Sequence, residues 1–322
     1  MDLIYNSPIM DWEDFVNEFM NHTINDDIIF RGQSNSTQNI SPFNKDGKII
    51  SKKLIEWEII SSFNRHYDET SHYRFSTFIS QQLQNDLFGL YYKHYEVLKR
   101  LPLNEMDTLN KLYLLQHYGC PTCLIDFTKD PLIALYFSIT GIKGSSGSTL
   151  DANGDIAIYP DDCFLSLYKI DCKTLREIGV KNLKDDNDNL FLNYRNYELP
   201  LDNSLNSSNH AILAILNTPK FNEINYNLKK QEGCFLLYES YGFNFRGKGL
   251  EKFISEYANR RNLSVNSPAI CIYRIRYNSI FGNRKKNKKS LFNFLSDNKT
   301  TGATLFNDLQ GLKYDFNFFH QL

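Results

Sequence analysis

Two stretches, far apart in the chain, carry side chains whose types and spacing suit chemistry. The first is Phe30-Arg31-Gly32-Gln33, directly after Ile28-Ile29. Its Arg places a planar, permanently charged fork at a sheet edge, a shape that fits phosphate or carboxylate. Its Gly lets a backbone or a ligand come close. The second runs Gln116-His117-Tyr118-Gly119-Cys120-Pro121-Thr122-Cys123-Leu124-Ile125-Asp126-Phe127-Thr128. It sets an imidazole, an amide, a carboxylate and two hydroxyls among Leu, Ile and Phe. Such polar groups will be partly buried and need partners: each other, the backbone or a ligand. His117 is a candidate donor or base beside a substrate; the bland alternative is a histidine satisfied by a carbonyl. For Arg31 the bland alternative is an ion pair with an acid such as Asp126.

Two acids complete the set. Glu232 stands between Gln231 and Gly233 where a strand begins, and Glu239 follows that strand. Either can face a cleft; an exposed turn residue is the plainer reading of Glu232. Cys120-Pro121-Thr122-Cys123 has the spacing of half a zinc site or of a redox pair. No second ligand pair accompanies it, and it lies after a helix and before a strand, where a redox motif would open a helix. It reads as two incidental thiols, and no metal is expected.

These residues need elements to hold them. Trp12, Phe15, Val16 and Phe19 recur at helical spacing over Asp11–His22. A turn at Asn25-Asp26-Asp27 leads to a buried strand, Ile28-Ile29-Phe30, and a polar loop covers 34–39. Leu54, Ile55, Ile59 and Phe63 give a helix over 51–65, and 71–99 is largely helical. A helix over 105–118 ends in Gln-His-Tyr-Gly, a short strand carries Asp126, and a second helix begins at Pro131, capped by Asp130 or Thr128. Strands follow at 155–159, 211–215, within 227–238 and at 270–276, while 165–170 is a strand or a helix start. The Asp- and Asn-rich stretch 184–208 reads as a long surface loop. A final helix spans 290–298, and no internal repeat is visible.

With 322 residues, 42% hydrophobic and 14% aromatic, the chain can bury a sizeable core. Net charge is −1, which excludes a global field for nucleic acid or membrane. Only Arg284-Lys285-Lys286-Asn287-Lys288-Lys289 is a local nucleic-acid cue, and such runs are more often solvated loops. No apolar run approaches the roughly 18 residues of a membrane span, and no secretory segment is visible, so the chain reads as cytoplasmic. Its six cysteines should then be thiols.

Phe30-Arg31-Gly32, the long motif from Gln116 through Thr128, Pro131-x-x-Ala134-Leu135-Tyr136-Phe137, Gln231-x-Gly233-x-Phe235 and Thr304-Leu305-Phe306-x-Asp308-Leu309-x-Gly311-Leu312 together resemble the FRG domain family. Cys123 stands where that family commonly has Arg, and Phe127 where it often has Trp. The resemblance implies one FRG-type domain over 1–322, with core motifs in 28–240 and a C-terminal extension at 241–322. It implies a bacterial or phage-related defence or toxin effector, with a protein partner in such a system. The motif order is further similar to that of ADP-ribosyltransferases. Carried over, Arg31, Gln33, Gln116, Thr122, Asp126 and Thr128 would bind NAD, and Arg31, His117 and Glu232 would be catalytic. The alternative is a non-catalytic module that binds a nucleotide or a partner. The expected fold is α+β, a single mixed sheet with helices around it and one ADP-ribosyltransferase-like cleft.

Overall fold

In the computed structural model of the protein the described residues are 2–19, 25–34, 37–40, 53–56, 58–62, 108–117, 122–140, 164–183, 198–200, 210–216, 226–241, 249–276, 279–280, 291, 293–306 and 315. Eleven strands occur among them: β1 Ile4–Met10, β2 Ile28–Gln33, β3 Thr37–Ile40, β4 Lys53–Glu56, β5 Leu124–Thr128, β6 Phe164–Asp171, β7 Lys181–Leu183, β8 Glu198–Pro200, β9 His210–Leu216, β10 Gly233–Tyr241 and β11 Ile270–Arg276. The helices are α1 Trp12–Phe19, α2 Thr108–His117, α3 Pro131–Thr140, α4 Cys172–Glu177, α5 Tyr226–Lys230, α6 Leu250–Arg261 and α7 Gly302–Leu305.

Nine strands form one mixed, open sheet in the order β1-β11-β6-β2-β5-β10-β9-β7, with β8 also on β9. The pairs β1/β11 and β7/β9 are parallel; the other pairs are antiparallel. The architecture is α+β with helices around a single sheet, as the sequence implies. Strand alternation sends successive side chains to opposite faces. One face gathers Ile29, Ile125, Phe127, Tyr168, Leu213 and Leu236 under Leu250, Phe253, Ile254 and Tyr257 of α6. The other face carries two groups. Phe30, Leu165 and Leu167 pack with α1 and α3. Leu124, Phe235 and Leu237 pack with Leu109, Leu112 and Tyr113 of α2.

The helix that follows β5 is apolar all round because it is enclosed on every side. Nine residues of α3, from Pro131 to Thr140, are buried. It lies between β2 and the C-terminal segment, where Phe137 meets Phe306 edge-on at 6.1 Å and the Tyr136 hydroxyl donates to Asp315 at 2.9 Å. Asp315 also accepts the Gly302 and Ala303 amides, at 2.7 and 3.1 Å, and so ties the chain end to this helix.

Three local expectations are overturned. The polar loop at 34–39 contains β3, which pairs with β4, and β4 replaces the start of the helix placed over 51–65. Leu54, Ile55 and Ile59 suited either period; what decides against a helix is the backbone's partners. The Ile59 amide donates to the Glu251 carboxylate at 3.0 and 3.1 Å, a bond a helix interior would not leave free. The 184–208 stretch is not all loop, since β8 pairs with β9 and buries Leu199. The 165–170 alternative resolves as strand β6. The helix over 71–99, the strand at 155–159 and the basic run at 284–289 lie outside the described residues.

Gly32 is the tightest point of the packing. A Cβ there would stand 1.8 Å from the Ala134 carbonyl oxygen and 2.8 Å from the Ser138 Cβ. The close approach that Gly permits is therefore made by a helix backbone. Gly32→Ala should destabilise the protein by about 3 kcal/mol or more, since neither strand nor helix can yield. Chemical denaturation of both proteins checks this, and equal midpoints would contradict it.

Candidate functional site

β2 pairs with β6 at six successive positions, from Ile28–Asp171 to Gln33–Ser166, yet with β5 only at Phe30–Thr128. Beyond that pair the ladder between β2 and β5 opens. Continuing the register would set Gly32 opposite Asp126. Instead, Nη1 of Arg31 donates to the Asp126 backbone carbonyl at 2.8 Å. The arginine thus spans the gap, and it binds the main chain of Asp126, not its carboxylate. Among the described residues Arg31 makes no ion pair with an acid. Arg31 is half-buried, and its Nε is enclosed with no hydrogen-bond partner among the described residues. A buried guanidinium N–H without an acceptor is costly.

The Asp126 carboxylate is exposed and takes a different donor, Nε2 of Gln116 from α2, at 2.7 Å. Oε1 of that amide receives the hydroxyl of Thr122 in a short hydrogen bond. Thr122 itself is 1% exposed, and its Oγ1 accepts the Leu124 amide at 3.1 Å. Thr122 is pinned by Ser62, whose Oγ accepts its N–H at 3.0 Å and donates to its carbonyl at 3.2 Å. Thr128 is also internal: its hydroxyl donates to the Gln231 carbonyl at 2.7 Å and accepts the Asp130 amide at 3.1 Å. Asp130, not Thr128, caps α3, accepting the Leu132 amide at 2.7 Å.

Alternation divides the candidate residues between the two faces. Arg31 and Gln33 share the face of Ile29, with Arg31 opposite Tyr168 and Gln33 opposite Ser166. Asp126 shares the face of Leu124, where α2 brings Gln116. The two sets meet at the gap between β2 and β5. His117 is the last residue of α2, and its side chain lies outside the described residues.

The acids are separated too. Glu232 is exposed in the turn between α5 and β10, with φ 46°. Its carbonyl accepts the Lys129 amide at 3.1 Å, so it stands at the end of β5 where β2 and β5 are still paired. Gly233 beside it is packed by Leu228 of α5, whose Cδ1 would lie 2.0 Å from an added Cβ. Glu239 is inside β10, not past the strand, and is 3% exposed. The Tyr238 amide donates to the Cys123 carbonyl at 3.0 Å, which extends the β5–β10 register and sets Glu239 opposite Thr122. Sequence reading gave Glu239 no link to Thr122, because that neighbourhood exists only through the register.

A cavity of about 490 Å³ lies elsewhere, bounded by Asp11, Trp12, Glu13, Asp14, Ser279, Ile280 and Leu291. Cys123 is fully buried, and burial, then the nearby Glu239 charge, pushes its thiol well up from the ordinary range. Cys172 is pushed up to about 12, chiefly by burial. A thiolate is the reactive form, so both are inert in the fold. No three metal-ligating side chains converge among the described residues, and none of the described helices is long and apolar enough to cross a membrane. Native protein treated with iodoacetamide at pH 8 should keep Cys123 and Cys172 unmodified by peptide mass mapping, and lose that protection in denaturant. Fast native labelling of Cys123 would show the segment to be open.

The sequence model of the FRG domain matches residues 51–146 of this chain, less than half of it. That span holds Gln116, His117, Thr122, Asp126, Thr128 and all of α3, and leaves out Arg31, Gln33 and Glu232. Neither a curated protein nor a solved structure matches the chain.

Proposed function

We propose that the gap between β2 and β5 binds an anionic nucleotide, and that the protein is an NAD-consuming, ADP-ribosyltransferase-like effector of a defence or toxin system. The observation that carries the reading is Arg31. Its guanidinium spans the gap on one hydrogen bond to the Asp126 carbonyl, with the enclosed Nε–H still lacking an acceptor among the described residues. A diphosphate oxygen would meet the outer N–H groups of this half-buried fork in charge-assisted bonds, the enclosed Nε–H staying out of its reach. The motif order, similar to that of ADP-ribosyltransferases, supports the same reading by analogy of arrangement.

In this reading Arg31 holds the diphosphate, and Gln33, beside it on the same face of β2, flanks the ribose. Asp126, exposed and steadied by Gln116, presents a carboxylate at the other side of the gap. NAD supplies a glycosidic bond whose cleavage develops positive charge on the ribose, which a fixed carboxylate favours. His117, at the end of α2, serves as donor or base. Glu232 lies at the paired end of β5 and would meet the acceptor rather than the ribose. Thr122 and Thr128 shape the site from below, because their hydroxyls are already engaged.

Nicotinamide release from NAD by the purified chain tests this. The wild type should turn NAD over, and Arg31→Ala should lower the rate by about 100-fold, the scale of one lost electrostatic contact in a transition state. Arg31→Lys, which keeps charge but not the fork, should fall between them. Circular dichroism must show each variant folded, since Arg31→Ala also loses the bond to Asp126. NAD-dependent thermal stabilisation without turnover would favour the non-catalytic binding module. No stabilisation and no turnover would overturn the proposal.

A further inference from the structure

We propose that Thr122 is a positioning residue: held by Ser62, it fixes which way round the Gln116 amide sits, and thereby holds the Asp126 carboxylate for a ligand. The inference rests on the ligand-binding reading of the gap and deepens it by naming the device that orients its carboxylate.

The argument is one of hydrogen-bond direction. A carboxylate only accepts, so Gln116 must turn its Nε2 to Asp126. Its Oε1 then faces Thr122 and needs a donor. The Thr122 hydroxyl can be that donor because its lone pair already accepts the Leu124 amide, leaving its proton for Gln116. Each bond fixes the direction of the next, and the chain Leu124 N–H, Thr122 hydroxyl, Gln116 amide, Asp126 carboxylate has one consistent polarity. An amide end and its carbonyl end are nearly equal in shape. Without the hydroxyl, Asp126 alone orients the amide, whose Oε1 is left without its donor, so the hold on the carboxylate loosens.

The rest of the structure keeps Thr122 still. It is 1% exposed, so it meets no ligand itself. Ser62 binds both its N–H and its carbonyl. The segment carrying Ser62 is tied in turn to α6, where Glu251 accepts the Ile59 amide and Glu58 accepts the Gly249 amide at 2.5 Å. Glu239 of β10 stands opposite Thr122 in the register.

The test reads the side-chain amide of Gln116 by ¹H–¹⁵N spectroscopy, the signal being assigned by its loss in Gln116→Leu. In the wild type one of its two protons should lie downfield and exchange slowly with solvent. Asp126→Asn, at an exposed position, should return that proton toward the free-amide position. Thr122→Val should do the same, and Thr122→Ser should restore the signal. In parallel, NAD binding measured calorimetrically should weaken by about 10-fold in Thr122→Val and recover in Thr122→Ser. An amide signal indifferent to Asp126→Asn would overturn the proposal even if Thr122→Val failed to fold. So would a Thr122→Val protein with both signal and affinity intact. If the wild type does not bind NAD at all, the functional reading falls alone, and the amide signal still decides the positioning role.

Discussion

A Cβ on Gly32 would stand 1.8 Å from the carbonyl oxygen of Ala134, so the helix after β5 can sit where it does only over a residue without a side chain. That contact fixes more than one helix. α3 follows β5 with only Lys129 and Asp130 between them, so clamping α3 on β2 also sets how β5 approaches β2. The two strands meet at Phe30–Thr128 and then part. Arg31, next to Gly32, fills the opening with its guanidinium. The side chain that could bind a ligand and the missing side chain that seats a helix are thus adjacent for one geometric reason. The strand must lie close beneath the helix on one face and apart from β5 along one edge.

This arrangement explains which polar residues are internal. Thr128 faces the end of the paired segment and satisfies the turn that leads into α3, whereas Asp126, two residues earlier on the same face, has reached the opened edge and is exposed. Thr122, two residues before Leu124, is buried again under α2. Along this face Thr122, Leu124 and Thr128 are buried and Asp126, at the gap, is exposed. The exposed carboxylate is held from the buried side, by an amide whose own orientation is set deeper in.

Much of the scaffold was legible. Ile28-Ile29-Phe30 and Ala211–Ile215 are short apolar runs of strand length, Ile270–Arg276 alternates as a half-exposed strand, and the Pro131 start of α3 follows from its chemistry. The sequence carries the signal of α6 as well: Leu250, Phe253, Ile254, Tyr257 and Ala258 recur at helical spacing before Asn262 in the left-handed region, a common helix stop. Around the site, less could be read. That Arg31 and Asp126 belong to opposite faces depends on which strands are neighbours and in what register. Periodicity within a strand says nothing of that. The same holds for Glu239, whose position opposite Thr122 follows from one hydrogen bond between Tyr238 and Cys123.

The FRG-domain match also has a physical shape. Residues 51–146 contain Ser62, Gln116, Thr122 and Asp126, the whole chain of hydrogen bonds that ends at the exposed carboxylate, together with the helix that needs Gly32. Arg31 and Gly32 themselves come from a strand before the matched span. The stretch therefore carries a self-consistent polar device and the helices α2 and α3, but not the strand on which α3 must rest. In this chain a preceding strand completes it, with a glycine under Ala134 and a donor for the Asp126 carbonyl. Here Gly32 and Arg31 meet both requirements in two consecutive residues, which is a steric and electrostatic reason for the order Arg-Gly in that strand.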